Sequence, residues 1–171
     1  PDQLRSSGQP LIEENCRVSP DGEIQVNGGT RFMGYLEENE LTEPFDSEGW
    51  FSTGDAGHFD DQGYLHVTGR LDNQFISGGE NIQPEEIEDH LCQIDGILQA
   101  VVIPVDDEEF EQRPVAFIRA ETDWDEEKIK TQLRESLPGF KIPKKIVPWP
   151  DDIPDGMKVN RNEFIGIARG I

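Results

Sequence analysis

The sequence contains few basic residues. Of its 171 residues, 15 are lysine or arginine and 36 are aspartate or glutamate, which gives a formal charge of −21. A charge of this sign repels nucleic acids and anionic membrane surfaces, so neither is an expected partner. No apolar run approaches the ~18 residues of a membrane span, and the first residues lack a signal-peptide pattern. These absences predict a cytoplasmic protein without an integral membrane segment.

Cysteine is scarce as well. Cys16 and Cys92 cannot build a disulfide framework and have no CxxC spacing, which fits a reducing compartment. The three histidines, His58, His66 and His90, have no ligand spacing to one another or to the cysteines. We therefore predict no metal site made by protein side chains.

Turn residues divide the chain into two parts. Up to about Thr68, glycine and proline recur too often for a helical period, and alternating runs such as Glu23–Val26 indicate short antiparallel strands. After Gly69, strands alternate with amphipathic helices. The predicted fold class is α+β, with a β-rich part at residues 1–69 and a small α+β domain at residues 70–171.

Several segments of the second part carry signals for individual elements. Pro84 at a first helical position, followed by two glutamates, predicts a helix with Ile87 and Leu91 on its inner face. The remaining predictions are a second helix over about residues 125–137, strands at residues 98–105 and 114–120, an extended segment at residues 142–150 and a short helix after Asn160.

Two charged residues in the middle of the chain could bind a nucleotide, and a third could serve as a hinge. Asp55 follows a glycine turn, and a carboxylate there could accept two hydrogen bonds from a vicinal diol such as a ribose. The alternative is a turn in which Asp55 caps its own backbone. Arg70 could hold a ribose or phosphate oxygen, and Asp72 could absorb a rotation between domains. The alternative for this pair is a surface ion pair in a linker.

Two other motifs could contact an anionic ligand. Adjacent glycines in residues 77–80 let backbone N–H groups face an anion, or let a thin chain pass without meeting a Cβ atom. The alternative is a tight turn from a strand into a helix. Lys158, in a loop rich in glycine and proline, could be a movable cation that reaches an anionic reacting centre. The alternative is a solvated lysine.

Taken in order, the motifs resemble those of the acyl-adenylate-forming ligases. This superfamily includes acyl-CoA synthetases, peptide-synthetase adenylation domains and beetle luciferase. The resemblance covers nearly the whole chain and depends on the order and spacing of its segments. The segments are residues 22–26, 34–36, 49–55, 63–65, 69–72, 79–88 and 156–161.

The resemblance implies a two-step reaction. The carboxylate of an acid attacks the α-phosphate of ATP to give acyl-AMP and pyrophosphate, and the thiol of coenzyme A then displaces AMP. Mg²⁺ is expected to accompany ATP, with its ligands outside this chain. The implied roles are binding of the AMP ribose by Thr53, Asp55 and Arg70, the domain pivot for Asp72, contact with the reacting carboxylate and phosphate for Lys158, and coenzyme A binding by Ser77, Gly78, Gly79 and Glu80.

Two segments, residues 77–88 and 104–116, are similar to those of the o-succinylbenzoate-CoA ligases of menaquinone biosynthesis. This similarity implies o-succinylbenzoate as the acyl substrate. The chain departs from many relatives at Met157, because they have glycine directly before the catalytic lysine. The alternatives are another acyl-CoA synthetase, an amino-acid adenylation domain or, from a different class, a non-catalytic acidic interaction module.

The resemblance also predicts that the chain is part of a larger enzyme. The phosphate loop rich in glycine, serine and threonine and the acyl-binding half expected upstream are absent from the sequence. Residues 1–69 would then be the C-terminal β-rich part of the large AMP-binding domain, and residues 70–171 the complete small mobile domain. We expect no activity from this chain by itself, and the sequence leaves its oligomeric state open.

Overall fold

The computed structural model describes residues 6–12, 15–153 and 159–168. The chain divides between Asp72 and Asn73 into two compact units. The sequence predicts a division after residue 69. The division comes later because Arg70 still belongs to a strand of the first unit, where it lies opposite Asp55. None of the helices in the described ranges is long and apolar enough to cross a membrane.

The first unit contains short antiparallel strands, as the sequence predicts. Four of them form a sheet in the order first, second, fifth, sixth, and the third and fourth form a separate hairpin. The described part of this unit has no α-helix. The strands are β1 (Cys16–Val18), β2 (Glu23–Val26), β3 (Tyr35–Glu37), β4 (Glu40–Thr42), β5 (Phe51–Phe59) and β6 (Leu65–Arg70).

An irregularity in the pairing of β5 with β6 lies beside the candidate nucleotide residues. Ala56 pairs with Gly69, whereas the next residue of β5, Gly57, pairs with Val67, so β6 bulges between them. A bulge re-aims neighbouring side chains and is common beside functional sites. Here only the pair of Ala56 with Gly69 separates it from the pair formed by Asp55 and Arg70.

The second unit alternates strands and helices. A three-stranded sheet has the order β11, β10, β9, in which β9 is antiparallel and β11 parallel to the central strand. A separate hairpin precedes the first helix. The elements are β7 (Phe75–Ser77), β8 (Glu80–Ile82), α1 (Pro84–Cys92), β9 (Ile97–Asp107), β10 (Glu111–Ala120), α2 (Glu126–Leu133), β11 (Lys145–Pro148) and α3 (Arg161–Ala168).

The helices begin where the sequence predicts. Pro84 is in the first turn of α1, and the Asp125 carboxylate accepts a hydrogen bond from the Lys128 amide at the start of α2. However, α2 ends at Leu133 instead of near residue 137. After Leu133 the backbone includes hydrogen bonds of the 3₁₀ type, in which an amide donates to the carbonyl oxygen three residues earlier. One example runs from the Ser136 amide to the Leu133 carbonyl oxygen.

The sheet of the second unit has an apolar core on each face. Successive residues of a strand point to opposite faces, so Val102 packs with the core beneath α1 and α2 while Val101 packs with the core beneath α3. Phe117 and Phe164 meet edge to face in the second of these cores, with ring centroids 5.1 Å apart. Both cores together fix the positions of all three helices.

Candidate functional site

One guanidinium group joins the candidate residues of the first unit. Nη1 of Arg70 donates hydrogen bonds to Asp55 Oδ1 at 3.3 Å and to the Thr53 carbonyl oxygen at 3.0 Å. Nη2 donates to both carboxylate oxygens of Asp72, at 3.1 and 3.0 Å. Four residues that the sequence presents in two separate motifs therefore lie together where the middle of β5 faces the C-terminal end of β6.

The backbone before Asp55 is shaped for this contact. Gly54 has a φ of +73°, and a Cβ atom there would lie 2.7 Å from Arg70 Nη2. The hydroxyl of Thr53 donates to the Ile24 carbonyl oxygen at 2.8 Å and accepts from the Asp55 amide at 3.0 Å. The Thr53 side chain thus orients the backbone of Asp55.

The Arg70 cluster, which consists of Arg70, Asp55 and Asp72, lies at the surface. These side chains are 47%, 40% and 67% exposed, respectively. The hydrogen bonds from Arg70 hold the pKa of Asp72 below its ordinary value, and Asp72 raises the pKa of Arg70 in turn. Both groups are therefore charged at neutral pH.

The carboxylate of Asp55 is partly exposed. Its Oδ1 accepts a hydrogen bond from Arg70 Nη1 at 3.3 Å, and 40% of the side chain remains exposed. A carboxylate so placed can accept hydrogen bonds from hydroxyl groups, while the neighbouring guanidinium offers a positive charge. The exposed ion pair of the alternative interpretation is also present, between Arg70 and Asp72.

The paired glycines form a hairpin turn. Gly78 and Gly79 connect β7 to β8 with φ values of +59° and +85°, which suits a two-residue turn of two glycines. The alternative interpretation, a tight turn from a strand directly into a helix, was wrong, because β8 intervenes and the helix begins at Pro84. Ser77 is 1% exposed, whereas the glycines and Glu80 are exposed. A ligand would therefore meet the turn before it met Ser77.

Lys158 lies outside the described residues, but the residues that follow it are well held. Val159 packs against the core beneath α3. Asn160 caps α3, because its Oδ1 accepts a hydrogen bond from the Asn162 amide at 3.2 Å. Arg161 then begins the helix.

Sequence reasoning missed a second charged group, the Arg161 cluster of Arg161, Glu85 and Glu88. Nη1 of Arg161 donates to Glu88 Oε1 at 2.5 Å, and Nη2 donates to Glu88 Oε2 and Glu85 Oε1, each at 2.9 Å. The three side chains are 15–22% exposed. Burial raises the pKa of Glu88, against the opposing hydrogen bonds from Arg161. The cluster links α1 to the first residue of α3.

The Arg161 cluster also forms hydrogen bonds with backbone groups at the edge of the sheet. β9 is an edge strand, and at Val102 its N–H donates to Glu88 Oε1 at 2.6 Å while its carbonyl oxygen accepts from Arg161 Nη1 at 2.7 Å. The sequence contained one signal for this cluster: Glu85 and Glu88 are three residues apart and therefore share one face of the helix. Nothing in the local sequence identifies Arg161 as their partner.

Across the described ranges, no group of three or more histidine, cysteine, aspartate or glutamate residues is arranged to hold a metal ion.

Comparison with known proteins matches part of the second unit to a family. Residues 86–156 match the family model of the AMP-binding enzyme C-terminal domain. The chain therefore carries a domain of that family, which confirms the resemblance to adenylate-forming enzymes. It is 40% identical over 144 residues to the 2-succinylbenzoate–CoA ligase of Listeria monocytogenes serotype 4b, an alignment that covers 84% of this chain and 31% of the relative.

Solved structures of similar fold are also adenylate-forming enzymes. Wild-type Escherichia coli MenE with a bound m-phenylether-linked analogue of OSB-AMS superimposes with a TM-score of 0.82 and 29% identity, covering 98% of this chain and 36% of that one. Bacillus subtilis o-succinylbenzoate CoA synthetase in complex with the acyl-adenylate intermediate OSB-AMP also gives 0.82, with 30% identity and coverage of 95% and 36%. The predicted fold class is thus confirmed, and the chain spans about a third of the length of these relatives.

Proposed function

We propose that the chain is the C-terminal portion of an ATP-dependent acyl-CoA ligase of the cytoplasm that acts on o-succinylbenzoate. The main support is the Arg70 cluster, which puts the predicted ribose acid, its supporting arginine and the predicted pivot at one place. Relatives named for 2-succinylbenzoate and structures that hold OSB-AMP or an OSB-AMS analogue support the choice of acid. Residues 1–69 belong, in this proposal, to the large AMP-binding domain, and residues 70–171 to the small mobile one.

The reaction proceeds in two displacements. An oxygen of the acid's carboxylate bonds to the α-phosphorus of ATP, and the bond to the departing pyrophosphate breaks. The sulfur of coenzyme A then bonds to the acyl carbon, its proton is lost and AMP leaves. Asp55 accepts hydrogen bonds from the ribose hydroxyls, Arg70 supports the same ribose, and Thr53 orients Asp55.

Lys158 and the glycine turn serve different steps. The Lys158 ammonium stabilises the negative charge that develops at the reacting carboxylate and phosphate in the first step. The same cation would obstruct the thiol in the second step, so the small domain rotates near Asp72 and withdraws it. The turn formed by Gly78 and Gly79, with Ser77 and Glu80 beside it, then faces the pantetheine arm of coenzyme A.

Mg²⁺ would arrive with ATP. Its protein ligands lie, in this proposal, outside this chain. The described residues contain no group of three or more histidine, cysteine, aspartate or glutamate side chains arranged to hold a metal ion.

The test is adenylation by the full-length protein that contains this chain. We expect pyrophosphate release from ATP to be fastest with o-succinylbenzoate among a panel of fatty, aromatic and amino acids. Lys158→Ala should slow this reaction by raising its activation free energy by about 2.7–4 kcal/mol. This is the typical loss when one preorganised electrostatic partner is removed. Lys128→Ala, at an exposed lysine of α2, is the matched control and should leave the rate unchanged.

Each alternative has its own result in this experiment. A faster reaction with another carboxylic acid would replace o-succinylbenzoate as the substrate. An unchanged rate in Lys158→Ala would favour a non-catalytic acidic interaction module. The 171-residue chain assayed alone with ATP, coenzyme A and o-succinylbenzoate should form no thioester, and any product would contradict our assignment of the missing sites to the rest of the enzyme.

A further inference from the structure

The turn between β9 and β10 touches the glycine turn at one position. The Gly78 amide donates a hydrogen bond to the Phe110 carbonyl oxygen at 2.9 Å. A Cβ atom on Gly78 would lie 2.8 Å from Cδ1 of the Phe110 ring, whereas a Cβ atom on Gly79 would meet nothing within 4 Å. The glycine turn is therefore closed by Phe110 on the side of Gly78 and open on the side of Gly79.

The turn that carries Phe110 is itself held in place. Asp107 Oδ1 accepts hydrogen bonds from the amides of Glu109 and Phe110, each at 3.2 Å. Its Oδ2 accepts one from Lys144 Nζ at 2.8 Å, and the Asp107 side chain is 12% exposed. The Asp107 carboxylate therefore holds the backbone of Phe110, and Lys144 holds the carboxylate. The Phe110 carbonyl oxygen is thus a hydrogen-bond acceptor in a fixed position.

The Phe110 ring is also fixed from a second direction. It is half-buried, and the Arg113 guanidinium carbon lies 5.3 Å from its centroid, within the range of a cation–π contact. The side chain and the carbonyl group of this residue therefore both restrict where Gly78 can lie.

We propose that Phe110 is a positioning residue for the thiol half-reaction, which holds Gly78 so that Gly79 and Glu80 are presented to the pantetheine arm of coenzyme A. The inference rests on the proposed function and adds a residue that does not itself touch the substrate. Adenylation does not use this surface, so loss of Phe110 impairs the second half-reaction alone.

The experiment measures the two half-reactions separately in the full-length protein. Adenylation is followed as pyrophosphate release without coenzyme A, and thioester formation as a function of coenzyme A concentration. Phe110→Ala should leave adenylation unchanged and reduce kcat/KM for coenzyme A on the order of 10-fold to 100-fold, the scale of a small misplacement of a binding group. Phe140→Ala is the control, because Phe140 is also half-buried, with Lys141 Nζ 5.8 Å from its ring centroid.

A double-mutant cycle tests the contact itself. Gly78→Ala should lower kcat/KM for coenzyme A, and adding Phe110→Ala should cause little further loss, because the added methyl group and the ring act at one contact. Gly79→Ala introduces similar backbone strain but does not contact Phe110. The fold-decreases in kcat/KM for coenzyme A caused by Gly79→Ala and Phe110→Ala should therefore multiply in the double variant.

The outcomes separate the inference from the proposed function. A wild-type protein that forms no thioester overturns the proposed function. An active wild-type protein whose Phe110→Ala variant uses coenzyme A normally, or loses both half-reactions equally, overturns the inference alone. If Phe110→Ala does not fold, Gly78→Ala decides: an unchanged coenzyme A dependence also overturns the inference.

Discussion

The two units differ in how much apolar surface they bury. In the part of the chain that the structure describes, 24 hydrophobic residues are buried; Ile24 and Ala56 belong to the first unit and all the others to the second. The first unit keeps apolar side chains at its surface instead: Met33 is 77% and Leu36 73% exposed. The second unit therefore has a core of its own, whereas the described part of the first unit buries little apolar surface.

The charged clusters of the two units follow the same contrast. The Arg70 cluster is exposed, so its ion pairs can exchange for contacts with a ligand or with water at little cost. The Arg161 cluster is mostly buried and also satisfies the backbone of Val102, so breaking it leaves charged and polar groups unpaired. The difference separates a cluster suited to binding from one that stabilises the fold.

The largest expected effect concerns folding of the separated units. Residues 73–171 expressed alone should unfold cooperatively, while residues 1–72 alone should not, because two buried apolar side chains cannot offset the conformational entropy of the chain. Near-UV circular dichroism and amide hydrogen exchange measure this, with the 171-residue chain as reference. Cooperative unfolding of residues 1–72 alone would contradict the contrast between the units.

The next largest effect compares the two arginines. Arg161→Ala should lower the free energy of unfolding of the second unit by about 3–5 kcal/mol, because it leaves Glu88 buried without its partner. Arg161→Lys should lower this free energy by less, because lysine keeps the positive charge although it cannot form the paired hydrogen bonds. Arg70→Ala should barely change stability. Denaturant titration of the three variants measures the difference.

The opposite order of effects would show that exposure does not distinguish these clusters. In the full-length protein, Arg70→Ala should instead raise the ATP concentration needed for pyrophosphate release, because the guanidinium supports the ribose in the proposed function. A variant with unchanged ATP dependence would remove Arg70 from the proposed binding site.

Local signals allowed much of this fold to be predicted. Pro84 and Asp125 identify the starts of α1 and α2 because capping depends on residues within one turn. Asp55 and Arg70 could be selected as candidates from their motifs, although their direct pairing required the register of β5 with β6. Contacts of long sequence separation could not be predicted from one sequence, because their partners are chosen by tertiary packing.

The glycine turn illustrates the same limit. Two adjacent glycines predict a turn, but the choice between a strand and a helix after it depends on whether the next residues find a pairing strand. Here residues 80–82 pair with β7, and Phe110, far along the chain, closes one side of the turn. The contact between Phe110 and the glycine turn is thus a tertiary contact that the residues near either position do not predict.

The smallest expected effect is the pH dependence of a partly buried ion pair in the second unit. Glu126 Oε1 lies 2.7 Å from Lys130 Nζ and accepts a hydrogen bond from the Ile146 amide at 3.1 Å. The bond to Lys130, with a smaller contribution from Ile146, holds the pKa of Glu126 below its ordinary value in the folded chain. The stabilisation is therefore present at pH values above the pKa of the unfolded chain and is lost as the pH falls through the lower folded pKa.

Glu126→Gln isolates this contribution. The difference in free energy of unfolding between wild type and Glu126→Gln should be measurable at neutral pH and should shrink as the pH falls through the lowered pKa of the folded chain, below which the wild-type carboxylate is protonated in both states. Glu127→Gln is the matched control, because Glu127 is 75% exposed and lies 3.9 Å from the same ammonium. A difference that stays constant with pH would mean that Glu126 acts through its shape and hydrogen bonding alone. Since Glu126 is partly exposed, added salt should reduce the neutral-pH difference as well.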